Sequence, residues 1–200
     1  MHYFFTLFLS TALAVNTIAQ ALSPIDAGDR KSFNAIQLTA IGKFGAVRKA
    51  RPHVPSHIHT GIDIKRPAKN YENEPIFPVM RGTVISKRDD GPYAQLIIVH
   101  DKEGKLFWSV YEHIAGIKVN VGDEADPMKP IARFMNRKEL DRNGWQFDHF
   151  HLEILKAKPR PIKPDRKTPF RFYSSYTLEC HTNEDVNRYF YDPIKFLISD

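Results

Sequence analysis

The sequence predicts a mainly β domain, an antiparallel sheet with few short helices. Three observations carry this. Short runs of β-branched and aromatic residues recur between about residues 83 and 155, separated by turn-forming clusters. Two of these runs, 95–100 (QLIIVH) and 106–113 (LFWSVYEH), flank Asp101-Lys102-Glu103-Gly104 and are natural hairpin partners. Within that region only residues 136–142 (NRKELDR) suit a helix, of two turns, stopped at Asn143-Gly144.

The elements follow in chain order. Residues 1–21 contain no Lys, Arg, Asp or Glu, have an apolar centre at 3–15, and end in Ala19-Gln20-Ala21. That is the pattern of a secretory signal peptide cleaved after Ala21, with an uncleaved anchor as the alternative. No Cys directly follows, so lipid attachment there is excluded, and no later apolar run reaches transmembrane length. Residues 22–42 read as a polar lead-in with room for one short helix. Residues 43–155 form the main domain. In it, 83–86 is a short strand after Arg81-Gly82, 89–92 is a turn, and the two hairpin strands follow. Residues 119–122 and 131–134 add short strands, and 147–155 (FDHFHLEIL) alternates as a half-buried strand does. Residues 156–170 are a basic, Pro-rich arm, expected to be extended. Residues 171–200 return to aromatic-rich sequence and are expected to pack back on the domain.

Composition narrows the function. An apolar fraction of 42%, with 14 Phe and 8 Tyr, excludes a wholly disordered chain. The single Cys180 excludes an internal disulfide and a thiolate cluster, so a metal site must use His and carboxylates. Lys plus Arg exceed Asp plus Glu by 29 − 23 = 6, which points to an anionic partner: nucleic acid, a membrane surface or an acidic polymer. Export argues against nucleic acid.

Nine His are present, and three clusters stand out. In His59-Thr60-Gly61-Ile62-Asp63, side chains four apart on an extended segment share a side, so His59 and Asp63 can converge on one metal. In His149-Phe150-His151 the two imidazoles share a strand face, so one can bind a metal while the other faces the open position. The third cluster, Tyr111-Glu112-His113, ends the second hairpin strand. Two neutral imidazoles and one carboxylate suit a catalytic zinc site. Two alternatives stay open at this point: a His57/His59 pairing through His57-Ile58-His59, and a non-haem iron triad. His53 and His57 could orient a ligand, face substrate or be incidental. His2, His100 and His181 read as ordinary surface residues, and Cys180 as either buried or exposed.

Together these clusters resemble peptidase family M23, zinc metallopeptidases of the lysostaphin type that cut peptidoglycan. HTGID at 59–63, YEH at 111–113 and HFHLE at 149–153 follow the family's His-x-x-x-Asp, Tyr-x-His and His-x-His order. PIFPVMRGTV at 75–84, LIIVH at 96–100, IKVNVGDEADPMKPIARF at 117–134 and YDPIKFL at 191–197 resemble the segments between and after them. The resemblance implies a lysostaphin-like β groove with the metal on its floor, and Zn2+ bound by His59, Asp63 and His151. It also implies that His113 and His149 are unligated catalytic histidines, and that the substrate is peptidoglycan or an extracellular peptide reached in the periplasm or outside the cell. Some proteins of this fold lack the ligands and act only as binding or activating modules; here every motif position is filled. Residues 135–148 replace a glycine-rich stretch and Phe150 replaces a Leu, so one groove wall must differ. The basic arm lies outside the family pattern and reads as a track for an acidic polymer or as a solvated linker.

Overall fold

Antiparallel pairing organises the chain, as the alternating runs require. The structure, a computed structural model, describes residues 20–52 and 54–199. Residues 1–19, with most of the expected signal segment and His2, lie outside the described residues, as does His53. In chain order the elements are β1 (Val47–Arg48), β2 (His57–Ile58), β3 (Ile62–Lys65), β4 (Pro75–Ile76), β5 (Gly82–Arg88), β6 (Gln95–Lys102), β7 (Lys105–Glu112), β8 (Glu124–Ala125) and β9 (Ala132–Arg133). There follow α1 (Arg137–Asn143), β10 (His149–Leu155), β11 (Arg160–Pro161), β12 (Tyr173–Ser174), α2 (Asn183–Tyr189), β13 (Phe190–Tyr191) and α3 (Pro193–Ile198).

The main sheet runs β13-β10-β7-β6-β5-β8, with β3 also paired to β10. β6 and β7 form the expected hairpin, in register from Gln95↔Glu112 to Lys102↔Lys105. Its two turn residues, Glu103 and Gly104, both take positive φ (55° and 80°), the combination that matches strand twist across a tight hairpin. β10 lies between β7 on one side and β3 with β13 on the other, so it sits inside the sheet.

Strand alternation sorts β10 into two faces. Phe150, Leu152 and Ile154 enter the larger core with Leu96, Ile98, Tyr111, Ile62 and Ile64. Burying each such side chain contributes about 1.5–3 kcal/mol. The other face carries His149, His151, Glu153 and Leu155. At its far end Leu155, Ile97, Trp108 and Val110 are covered by Cys180, Val186 and Phe190 of the C-terminal segment, which therefore packs back as expected. α2 and α3 start on side-chain caps, Thr182 with Asp185 and Asp192 ahead of Pro193.

The structure differs from the sequence reading in four places. Residues 22–42 contain no helix; they lie against the core instead, with Ile25 fully buried and bridged to Ile76, and Leu38 bridged to Ile64. Residues 119–122 are not a strand. Val121 and Gly122 make a turn, with Gly122 at φ 94°, and the short strand comes just after as β8. The basic arm is extended but not free, since Arg160–Pro161 pairs with Tyr173–Ser174. His100 is not a surface residue: it is 1% exposed, its Nδ1 bonding the Arg81 carbonyl and its Nε2 the Ser109 hydroxyl. The QLIIVH alternation places it on the core face with Leu96 and Ile98. Cys180 is buried, whereas His181 is exposed as expected. Among the described residues no helix is long and apolar enough to cross a membrane.

Candidate metal centre

His59, Asp63 and His151 meet at one point. Asp63 and His151 are opposite each other in the β3–β10 register, so their side chains leave the sheet side by side. His59 stands just before β3. The lead-in clamps this corner: Thr39 N–H donates to the Asp63 carbonyl, and Asp63 N–H donates to the Gly42 carbonyl. Gly61 is needed for room. A Cβ there would stand 2.3 Å from the Leu152 carbonyl oxygen and 2.7 Å from His151 Cε1. Its task is close approach of two backbones.

Three donor atoms form a nearly equilateral triangle. His59 Nε2 is 3.1 Å from Asp63 Oδ1 and 3.0 Å from His151 Nδ1, and His151 Nδ1 is 3.0 Å from Asp63 Oδ1. All three residues are about 95% buried, with exposures of 4, 5 and 6%. The outer nitrogens decide the chemistry. His59 Nδ1 lies 2.9 Å from the Lys43 carbonyl, and His151 Nε2 lies 3.2 Å from Glu153 Oε1. Both partners are pure acceptors, so each outer nitrogen carries the hydrogen. The inner nitrogens then present lone pairs, and so does Asp63 Oδ1. Three acceptors facing one another in a buried site require a positive charge between them. In the metal-free site a proton on His151 Nδ1 supplies that charge: burial disfavours it, yet Asp63 and Glu153 outweigh burial and raise its pKa. Burial pushes the Asp63 carboxyl up, but a protonated His151 bonding its Oδ1 holds it far below the usual carboxylate range. Burial lowers the pKa of His59, which keeps it neutral.

The donor set fits zinc. Two imidazole nitrogens and one carboxylate oxygen are a catalytic zinc set, and ligand distances of ~2.0–2.2 Å imply donor–donor spacings of roughly 3.4 Å, a few tenths of an ångström wider than seen. His57 is buried but bonds the Pro55 carbonyl and is not among the converging donors, so the His57/His59 pairing finds no support.

His113 and His149 stand beside the triangle. His149 Nε2 is 3.8 Å from Asp63 Oδ1. The rings of His113 and His149 meet edge to face, with centroids 5.2 Å apart. His113 follows the last residue of β7 at φ 63°, a conformation uncommon for a residue with a side chain and often found at functional sites. Its Nδ1 donates to the Pro92 carbonyl at 2.6 Å, leaving Nε2 with a free lone pair. Burial lowers both histidines to about 4, so both are neutral at neutral pH and able to take a proton. Phe147 packs on His113 with centroids 5.0 Å apart. It comes from the stretch that departs from the family pattern, which forms α1, capped by Asn136 and Glu139, and then a single turn at Trp145–Phe147.

A family profile, peptidase family M23, matches residues 57–164, more than half of the chain and the stretch that holds all five of these residues. The chain belongs to peptidase family M23. Among solved structures, it resembles a zinc-containing peptidase from Vibrio cholerae (24% identity, TM-score 0.45), covering 68% of this chain and 37% of that one. It also resembles the SpoIIQ–SpoIIIAH pore-forming complex (16% identity, TM-score 0.44), over 69% of this chain and 84% of that one. The chain thus spans well under half the length of the Vibrio peptidase, and the family assignment rests on the profile alone. No curated protein sequence matches the chain.

Four side chains around this M23 site escaped the sequence reading. Arg48 Nη2 binds Asp63 Oδ2 at 2.5 Å, fixing the carboxylate so that Oδ1 points inward. Glu153 backs His151, and Thr177 reaches Glu153 from the C-terminal segment. Glu112 lies opposite His151 on β7, its pKa pushed up to about 6 by burial. Glu153 and Glu112 could have been found from strand alternation. Arg48 and Thr177 carry no local signal.

Proposed function

We propose that the protein is an exported zinc-dependent endopeptidase that hydrolyses peptide bonds in peptidoglycan cross-links or stems. The observation that carries this is the convergence of three donor atoms, His59 Nε2, Asp63 Oδ1 and His151 Nδ1, with two neutral histidines beside them. Zinc held by those donors supplies Lewis acidity that activates water and polarises the scissile carbonyl. His149 and His113, neutral in the resting site, then act as acceptors for the proton released by the attacking water, and the ring that takes it becomes a hydrogen-bond donor to the tetrahedral intermediate. Arg48 keeps Asp63 pointed at the metal. The filled motif positions favour catalysis over a purely binding role.

The substrate reading rests on charge and place. Lys65 pairs with His149 in the sheet and lines a cleft of about 350 Å³ with Arg66, Lys69, Tyr71 and Asp148. Lys65 and Lys69 there suit the carboxylates of an acidic peptide, while Arg66 is already paired with Asp148. The charge-free apolar segment and Ala19-Gln20-Ala21 support export to the periplasm or beyond.

The test is digestion of peptidoglycan sacculi by the purified protein with and without a chelator. Chelator-sensitive release of new amines and soluble muropeptides is expected. No release from folded, zinc-loaded protein would contradict the substrate, and cleavage of an extracellular protein instead would move it there.

A further inference from the structure

One buried carboxylate beside the metal donors has no part in the hydrolysis as described. Glu153 is 1% exposed and lies two residues beyond His151 on the same face of β10. Its Oε1 alone meets three donors: His151 Nε2 at 3.2 Å, the Thr60 hydroxyl at 2.5 Å and the Thr177 hydroxyl at 2.5 Å. Thr60 is fully buried next to His59. Thr177 opens a single turn at Thr177–Glu179, outside the stretch that matches the family. Its oxygen also lies 2.7 Å from the Ser175 hydroxyl, which donates to it and leaves the Thr177 proton for Glu153. That turn is fastened to the strand ahead of His59. Ile58 N–H donates to the Cys180 carbonyl at 2.7 Å, and the two side chains share one apolar cluster.

We propose that Glu153, clamped by Thr60 and Thr177, is the positioning residue that fixes His151 as a metal ligand, so that the C-terminal segment is part of the metal centre. An imidazole offers Nδ1 to a metal when Nε2 keeps its hydrogen. A carboxylate acceptor on Nε2 holds that tautomer, orients the ring and raises its strength as a ligand. The carboxylate can do so only if it is itself held. Two short hydroxyl bonds to the same oxygen stop it swinging and offset part of the cost of its burial. One hydroxyl comes from the HTGID motif and the other from a turn more than a hundred residues later. The inference rests on the zinc reading above.

The experiment is zinc affinity of the purified protein, read by competition with a chromophoric chelator, beside the melting temperature of the metal-free form to confirm folding. Glu153→Gln keeps the shape and removes the charge; its zinc affinity is expected to fall about 10–100-fold. Thr177→Val is expected to lose roughly 3–10-fold, the scale of one hydrogen bond, and Thr177→Ser to recover the wild-type value. Unchanged affinity in both Glu153→Gln and Thr177→Val overturns the proposal. So does a Thr177→Ser protein as weak as Thr177→Val, because packing rather than the hydroxyl would then be responsible. Wild-type protein that takes up no zinc would instead bring down the metal reading beneath it.

Discussion

Phe150, Leu152 and Ile154 alternate with His149, His151 and Glu153 along one strand, and the two rows differ in what burial asks of them. Leu152 is 0% exposed and Glu153 1%. The apolar row needs only close neighbours, and it has them in Tyr111, Ile62 and Ile64. The polar row needs a partner for every hydrogen-bonding atom, or the desolvation cost stands. Glu153 Oε1 has three partners and the outer nitrogen of His151 has one, while the inner nitrogen faces two other acceptors. The apolar face therefore supplies stability, while the polar face carries the costs of burial: the donor triangle calls for a cation, and Glu153 Oε2 is buried without a partner. Fold and metal chemistry are separable on one strand.

Substitutions can break that comparison. The largest effect is expected for His151→Ala, which removes a donor: zinc content and peptidase activity should both drop to background. Stoichiometric zinc in that variant would contradict the ligand assignment. His149→Ala should keep its zinc and lose about 10²–10⁴-fold in turnover, the usual range for a proton-transfer group. A rate near wild type would remove His149 from the mechanism. On the opposite face Leu152→Ala should destabilise the fold by about 2–5 kcal/mol in denaturant unfolding, with zinc stoichiometry unchanged in the folded fraction. A loss of zinc without a loss of stability would mean the two faces are not separable.

The smallest effect sharpens the comparison through pH. His100 is a polar residue on the apolar side, and burial lowers its pKa to about 4. The unfolded imidazole takes its proton near ~6.5. Between those values the unfolded chain binds more protons, so stability falls as pH drops from about 6.5 to about 4, and His113 and His149 act in the same direction. The melting temperature of the metal-free protein should fall across that window, and in His100→Gln the accompanying loss of stability should be smaller by roughly 3 kcal/mol at the acid end. An identical slope in the variant would show that His100 titrates normally.

Much of this was legible in sequence because strand periodicity assigns faces without any knowledge of the fold. QLIIVH and LFWSVYEH declared their pairing, FDHFHLEIL its alternation, and the spacing in HTGID brought His59 and Asp63 to one side. The same periodicity, applied more strictly, places His100 in the core and Glu153 behind His151. The lead-in was misread because Ile25 and Leu38 make isolated bridges, which leave no repeating pattern. The turn at Val121–Gly122 hid among β-branched residues, with only its glycine to mark it. Arg48 and Thr177 reach the site by tertiary packing, from 15 residues before Asp63 and 24 residues after Glu153. No local pattern encodes such contacts.

The most direct test of the central claim is a crystal of the zinc-loaded protein measured at the zinc absorption edge. The account predicts one anomalous peak within bonding distance of His59 Nε2, Asp63 Oδ1 and His151 Nδ1, with His149 and His113 unligated at its open side. A peak between His57 and His59, or no peak near Asp63 in protein that carries zinc, would contradict it.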